Sequence, residues 1–147
     1  MKTKAPKIKY KAWLSPETMH NNSKKWLSEL AFIQDEQLFF DDLIKSYTLQ
    51  LIDSKHFTES KKIIDRLSQL QKENNTLFNT LKNHKRGLKI MVDGKDELEK
   101  EQAYRDKHAK LIIVVSKYLE KYQTIKKQLF TLVKGIIKEG KQKRLLN

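Results

Sequence analysis

Two glutamates, Glu29 and Glu36, lie seven residues apart within the apolar face of a helical pattern. Successive residues of a helix are rotated by about 100°, and this rotation places both carboxylates inside the arc of the apolar side chains. A carboxylate that leaves water needs a hydrogen-bonding or charged partner. The pattern therefore predicts that polar side chains from other segments meet these glutamates inside a helical fold.

Suitable partners occur on the apolar stripes of two later helical patterns. Asn74 and His84 fall on one stripe, and His108 falls on the next. A chain that folds back at the two links places His84 opposite Glu29 and Asn74 opposite Glu36, and a tyrosine is a further candidate partner. We expect a buried polar layer that aligns the helices, as a polar residue does in a coiled-coil seam. Its members are Glu29, Glu36, Asn74, His84 and His108.

A metal site is a second interpretation of the same side chains. Carboxylates and imidazoles that project into a helical bundle hold the metal ions of dinuclear iron and manganese proteins. The candidate ligands are Glu29, Glu36, His84, Glu101 and His108. The Glu-x-x-His pair of such sites is missing, because the residue three positions after Glu101 is a tyrosine. The sequence therefore favours a polar layer without metal, and no cofactor is predicted.

Motifs for the common catalytic chemistries are missing from the sequence. The chain has no cysteine, which excludes disulfides, thiolate zinc sites and cysteine nucleophiles. It also lacks the Gly-x-Ser-x-Gly turn of serine hydrolases and the glycine-rich loops that bind nucleotide phosphates. Asp41 and Asp42 are adjacent, so on a helix their carboxylates diverge and cannot act on one atom. We therefore predict a non-enzymatic protein without catalytic residues.

Basic residues are concentrated at the two ends of the sequence, in a chain of formal net charge +13. Residues 1–25 carry seven lysines and one acidic residue, and residues 134–147 carry five basic residues and one acidic residue. Basic side chains interleaved with aromatic rings can neutralise phosphates and stack on bases. This predicts, as an alternative function, weak and non-specific nucleic-acid binding by the tails. The residues assigned to it are Lys2, Lys4, Lys7, Lys9, Tyr10, Lys11, Trp13, Lys141, Lys143 and Arg144.

Long helical patterns account for most of the chain, which contains only four glycines and two prolines. The apolar residues recur every three or four positions, and the links between the patterns are short, so neighbouring helices are expected to be antiparallel. The predicted fold is all-α: an elongated up-down-up three-helix bundle with coiled-coil-like packing, forming a single domain over residues 1–147. The predicted segments are a basic arm at 1–14, helices at 15–53, 58–92 and 96–139, and a basic tail at 140–147. A break of the first helix near 21–23, with a second start at Ser23, is an open alternative.

Apolar residues also lie outside the main stripes, notably Phe32, Phe39 and Leu43 in the first helix and Ile112, Ile113, Leu119, Val133 and Ile137 in the third. One three-helix core cannot absorb this many apolar side chains, and exposed apolar patches commonly mark interaction surfaces. The leading functional hypothesis is therefore a helical interaction protein that forms a homo-oligomer or docks a partner helix.

Membrane insertion and secretion are not predicted. No apolar run approaches the roughly 20 residues that span a bilayer. The lysines of the first segment are not followed by the apolar region typical of a secretory signal. We expect a cytoplasmic protein.

Overall fold

The computed structural model describes residues 14–53, 55–93 and 98–146, and these residues are almost wholly helical, with no strand among them. The prediction of an all-α fold is therefore confirmed. The described helices are, in chain order, α1 (Pro16–Ser46), α2 (Thr48–Leu51), α3 (Phe57–Asp93) and α4 (Leu98–Leu146).

The first helix begins at the predicted cap. The Ser15 hydroxyl accepts a hydrogen bond from the backbone N–H of Thr18 at 3.1 Å, and Pro16 occupies the first helical position, where its missing N–H has no consequence. The helix then continues through the expected weak point at 21–23. Ser23 does not cap a new helix, because its hydroxyl donates to the backbone carbonyl four residues earlier at 2.9 Å.

An interruption occurs instead near the other end of this segment. The first helix ends at Ser46, and Tyr47 separates it from the short helix α2. The Thr48 hydroxyl donates to the carbonyl oxygens three and four residues earlier, at 2.9 and 3.1 Å. Such local side-chain bonds compete with the regular helical hydrogen bonds. The helix expected over 15–53 is thus divided at Tyr47.

The last helix continues beyond its expected end at residue 139. It passes through Gly135 and Gly140 with no positive φ at either residue and reaches Leu146. A glycine inside a helix costs about 1 kcal/mol relative to alanine, which the long-chain residues around it can offset. The segment 140–146, expected to be a basic tail, is therefore the last part of α4.

The chain divides into two compact units. Unit 1 comprises the described residues of Met1–Phe32 and Asn74–Lys117. Its core includes a cluster of Leu14, Met19 and Leu88, against which Met91, Tyr104 and Ile112 pack. Further buried side chains of this unit are Leu30, Leu77, Leu81, Leu111 and Val115.

Unit 2 comprises the described residues of Ile33–Glu73 and Tyr118–Asn147. Its core is formed by one face each of α1, α3 and α4, with Leu51 of α2. Burying a large apolar side chain contributes about 1.5–3 kcal/mol. The buried apolar residues are Ile33, Phe40, Leu51, Ile63, Leu67, Leu70, Tyr118, Tyr122, Ile125, Leu129, Leu132, Val133 and Ile136.

Candidate functional site

A pair of histidines lies at the centre of the polar groups in unit 1. His84 on α3 and His108 on α4 are both 0% exposed. The Nε2 atom of His84 is 3.0 Å from the Nδ1 atom of His108, and the rings stack with their centroids 5.2 Å apart. The two helices are therefore joined by a direct imidazole–imidazole hydrogen bond.

Side chains of α1 and α4 enclose this pair. The Trp26 ring stacks on His108 with a centroid distance of 4.8 Å, and the Tyr104 ring lies 5.5 Å from His84. The Nδ2 atom of Asn22 is 3.3 Å from Nε2 of His108. Sequence analysis did not identify Asn22 as a member of this site. Its spacing of four residues from Trp26, which puts both on one helix face, is the signal that points to it.

Burial keeps both imidazoles neutral. Removal from water lowers the pKa of His84 from 6.5 to about 4, and the charge of Lys107 adds to this effect. Removal from water, with a smaller effect of His84, lowers the pKa of His108 from 6.5 to about 4. A neutral imidazole donates through one nitrogen and accepts through the other. When Asn22 donates to His108, His108 donates to His84, and the remaining hydrogen is on Nδ1 of His84.

That Nδ1 atom is buried and has no hydrogen-bond partner among the described residues. A buried polar atom without a partner loses its hydration without compensation. The histidine pair is thus a polar group held inside the unit by the packing around it, and its stability depends on both rings being uncharged.

Asn74 forms a second polar contact in unit 1. Its side chain is buried, and Nδ2 donates to the backbone carbonyl of Leu30 at 3.2 Å. This bond joins α3 to the backbone of α1. A helical carbonyl has a second lone pair that can accept such a bond.

Glu36 belongs to a cluster in unit 2. Its carboxylate accepts hydrogen bonds from the Tyr122 hydroxyl and from Nζ of Lys126 at 2.7 Å. Burial raises the pKa of Glu36, but the hydrogen bonds from Lys126 and Tyr122 and the charge of Lys126 outweigh burial, so this pKa lies below its ordinary value. Burial and the bond to Glu36 raise the pKa of the Tyr122 hydroxyl. The cluster joins a charged carboxylate to a neutral phenol and a charged amine.

The remaining candidate ligands do not join the histidines. Glu29 is half-buried, but the hydrogen bond expected between Glu29 and His84 is replaced by the bond from His84 to His108. The Glu101 carboxylate pairs with Arg105 at 3.2 Å. Among the described residues, no group of three or more His, Asp or Glu side chains could hold a metal ion. The five predicted ligands thus do not form one coordination sphere.

The residues assigned to nucleic-acid binding are only partly described. Residues Lys2, Lys4, Lys7, Lys9, Tyr10, Lys11 and Trp13 lie outside the described residues. Lys141, Lys143 and Arg144 are exposed on the last turns of α4. These three basic residues occupy a helix rather than an extended tail.

A cleft of about 390 Å³ lies between α3 and α4 in unit 2. Its lining includes Leu70 and Ile125 together with Arg66, Gln69 and Glu120. An ion pair between Lys121 and Glu73, at 2.9 Å, also borders it. Both side chains of this pair are well exposed, so the ion pair is solvated.

Large apolar side chains are exposed mainly in unit 2. Of the twelve described ones, nine belong to this unit. They are Leu38, Phe39, Leu49, Ile52, Phe57, Phe130, Ile137, Leu145 and Leu146. We call these nine residues the apolar surface of unit 2.

Two aromatic rings of this surface are fixed by a buried ring. Phe40 is 1% exposed, and its centroid lies 5.9 Å from that of Phe39 and 5.5 Å from that of Phe130. The Phe130 ring meets Phe40 edge to face, a favourable geometry for aromatic pairs. Phe39 and Phe130 remain 56% and 37% exposed. Both rings therefore pack against the core on one side and are exposed to solvent on the other.

Comparison of the chain with protein-family models, curated proteins and solved structures gives no significant match. Within the part of the chain that the structure describes, no helix is both long enough and apolar enough to cross a membrane.

Proposed function

We propose that this protein is a non-enzymatic helical interaction protein that acts through self-association. Docking of a helix from another protein is the alternative form of the same function. The observation that carries the proposal is the apolar surface of unit 2. Exposed apolar patches on soluble proteins commonly mark interaction sites. Rigid aromatic side chains such as Phe39 and Phe130 are the residue type that dominates the centres of protein interfaces.

The polar groups support a role in alignment rather than in catalysis. The histidine pair is enclosed by Trp26 and Tyr104, and the Glu36 carboxylate is already engaged by Tyr122 and Lys126. Buried polar groups in helical proteins can specify helix alignment at some cost in stability.

The finer architecture that we propose is an up-down-up bundle of three long helices with coiled-coil-like packing. In unit 2, Glu36 meets Lys126 and Phe40 meets Phe130, so contacts between α1 and α4 advance in the same direction along both helices. The contacts that α3 and the link before it make with α4 run in opposite directions, because Lys55 of the link pairs with Glu139 whereas Glu73 of α3 pairs with Lys121. This order of contacts supports alternating helix directions.

Sedimentation equilibrium tests self-association directly. We expect a mass above the 17.5 kDa of one chain that rises with protein concentration. The double variant Phe39→Gln with Phe130→Gln should lower the association constant, because it removes two exposed apolar side chains while Phe40 itself is kept. A concentration-independent mass of 17.5 kDa for the wild type would contradict self-association.

A matched control separates loss of this surface from a general effect of polar substitution. Phe32 and Ile90 are exposed apolar residues of unit 1. Phe32→Gln with Ile90→Gln makes an equivalent chemical change outside unit 2, so its association constant should equal that of the wild type. Circular dichroism of each variant checks that the helices are intact.

Nucleic-acid binding by the basic ends is the second candidate function. The exposed positions of Lys141, Lys143 and Arg144 on the last turns of α4 favour it, together with the net charge of +13. Binding through phosphate contacts should weaken steeply with salt and depend little on sequence. Binding that survives deletion of residues 1–12 and 141–147 together would contradict this mechanism.

A further inference from the structure

In unit 2, α1 and α4 carry exposed apolar side chains beside the place where the two helices meet. Phe39 of α1 and Phe130 of α4 form two apolar walls there, and both rings contact the buried Phe40 ring. Leu43 follows Phe39 by one helical turn, and Ile137 follows Phe130 by two turns, so both extend the same walls. We call the surface formed by Phe39, Leu43, Phe130 and Ile137 the α1–α4 groove.

An ion pair shows which side of each wall faces the neighbouring helix. Nζ of Lys126 lies 2.7 Å from the Glu36 carboxylate, so these residues mark the faces that α1 and α4 turn toward each other. Helical rotation places residues 35 and 42 on the opposite side of Phe39 from Glu36. The same rotation places residues 127 and 134 on the opposite side of Phe130 from Lys126.

Charges of opposite sign therefore border the groove. Exposed Asp35 and Asp42 form an acidic flank on α1. Exposed Lys127 and Lys134 form a basic flank on α4. The apolar walls lie between one negative edge and one positive edge.

Such a surface is complementary to itself in one of two simple arrangements. A two-fold axis parallel to the helices brings α1 of one copy over α4 of the other, and each acidic flank then faces a basic flank. A two-fold axis perpendicular to the helices brings α1 over α1, and like charges then face each other at both edges. Complementary charges at an interface rim select orientation and partner more than they add affinity.

We propose that the α1–α4 groove is the interface of a two-fold homodimer in which α1 of one copy packs over α4 of its partner. The inference rests on the proposed function, for which it names both the surface and the occupant. The aromatic walls meet at the centre of the interface, and two sets of aspartate–lysine contacts close its edges.

Charge exchange measured by sedimentation equilibrium tests the arrangement. The first variant replaces the acidic flank by lysines (Asp35→Lys with Asp42→Lys), and the second replaces the basic flank by glutamates (Lys127→Glu with Lys134→Glu). Each variant makes both edges repulsive, so the dimer dissociation constant should rise by ~10-fold or more. A third variant combines all four substitutions. It restores opposite charges at both edges and keeps the net charge of +13, so its dissociation constant should return to near the wild-type value.

Glu59→Lys with Asp65→Lys is the matched control. Both residues are exposed on α3, and the change in net charge equals that of the acidic-flank variant. The dimer dissociation constant of this control should stay close to the wild-type value, because neither residue belongs to the acidic or the basic flank. Because all exchanged residues are exposed, the helical circular dichroism spectrum of each variant should match that of the wild type.

The outcomes separate the arrangement from the proposed function. Weakening by either flank variant with restoration by the third variant supports the homodimer. A wild-type dimer that neither flank variant weakens overturns this interface but leaves self-association in place. Weakening without restoration overturns the packing of α1 over α4. A wild-type monomer at all concentrations overturns both the homodimer and self-association, and leaves a different helical protein as the occupant of the groove.

Discussion

Acidification should destabilise this protein through its buried histidine pair. In the folded chain the pKa of His84 and of His108 is about 4, whereas the ordinary value is 6.5. The unfolded chain therefore binds more protons than the folded chain between these values. The stabilisation from neutral imidazoles is complete above about pH 6.5 and is lost as the pH falls through this window.

The size of the effect follows from the same values. At about pH 5 each exposed imidazole of the unfolded chain is almost fully protonated, whereas each buried one is still mostly neutral, and the difference costs about 2 kcal/mol per histidine. Two histidines give about 4 kcal/mol, a large share of the 5–15 kcal/mol that typical domains possess. Glu36, whose pKa lies below its ordinary value of 4.5, loses its contribution only at lower pH.

Urea unfolding followed by circular dichroism at several values between about pH 7 and about pH 5 measures this loss. The double variant His84→Leu with His108→Leu is the decisive comparison, since replacing a buried polar pair by apolar residues is often neutral or stabilising. Its free energy of unfolding should vary much less over this range. His56→Gln is a control that removes a partly buried histidine paired with Glu139 outside the His84–His108 pair, and it should keep the wild-type loss. A wild-type protein whose stability is constant from about pH 7 to about pH 5, or a double variant with the full loss, would refute the reasoning.

Two further predictions concern single contacts. Tyr122→Phe removes one hydrogen-bond donor from the charged Glu36 carboxylate. The free energy of unfolding measured with urea should fall by about 1–3 kcal/mol. An unchanged urea midpoint would show that the hydroxyl contributes nothing to stability. A methyl group added at Gly87 meets the Tyr104 side chain, whereas one added at Gly135 meets no atom within 4 Å. Gly135→Ala should therefore stabilise the chain by up to about 1 kcal/mol through helix propensity. Gly87→Ala should instead lower the thermal midpoint. The two variants would have similar thermal midpoints if the Tyr104 ring moved freely.

Much of the fold follows from local patterns in the sequence. Ser15 and Pro16 mark the start of α1, and the recurrence of apolar residues every three or four positions marks the long helices and their buried faces. The stripe positions of Asn74, His84 and His108 coincide with buried positions in the structure. These features depend on residues within a few turns of one helix, so the sequence carries them directly.

Helix interruptions were harder to predict, because capping residues compete with the continuation of a helix. The polar residues at 21–23 have strong cap potential, yet the Ser23 hydroxyl bonds back to its own helix and α1 continues. The division at Tyr47 lies in a segment without glycine or proline. Small differences between local alternatives decide such positions, and packing around them contributes to the choice.

The partners of the polar groups were decided only by tertiary structure. By itself, the sequence determined that this is an all-helical chain with carboxylates, imidazoles and an amide on its apolar stripes. It did not determine that His84 bonds to His108 rather than to Glu29, or that Glu36 meets Tyr122 and Lys126. A shift of four residues between neighbouring helices preserves every apolar stripe but moves each polar side chain by a full turn. The alignment is therefore set by the fit of side chains between helices, which only the folded chain contains.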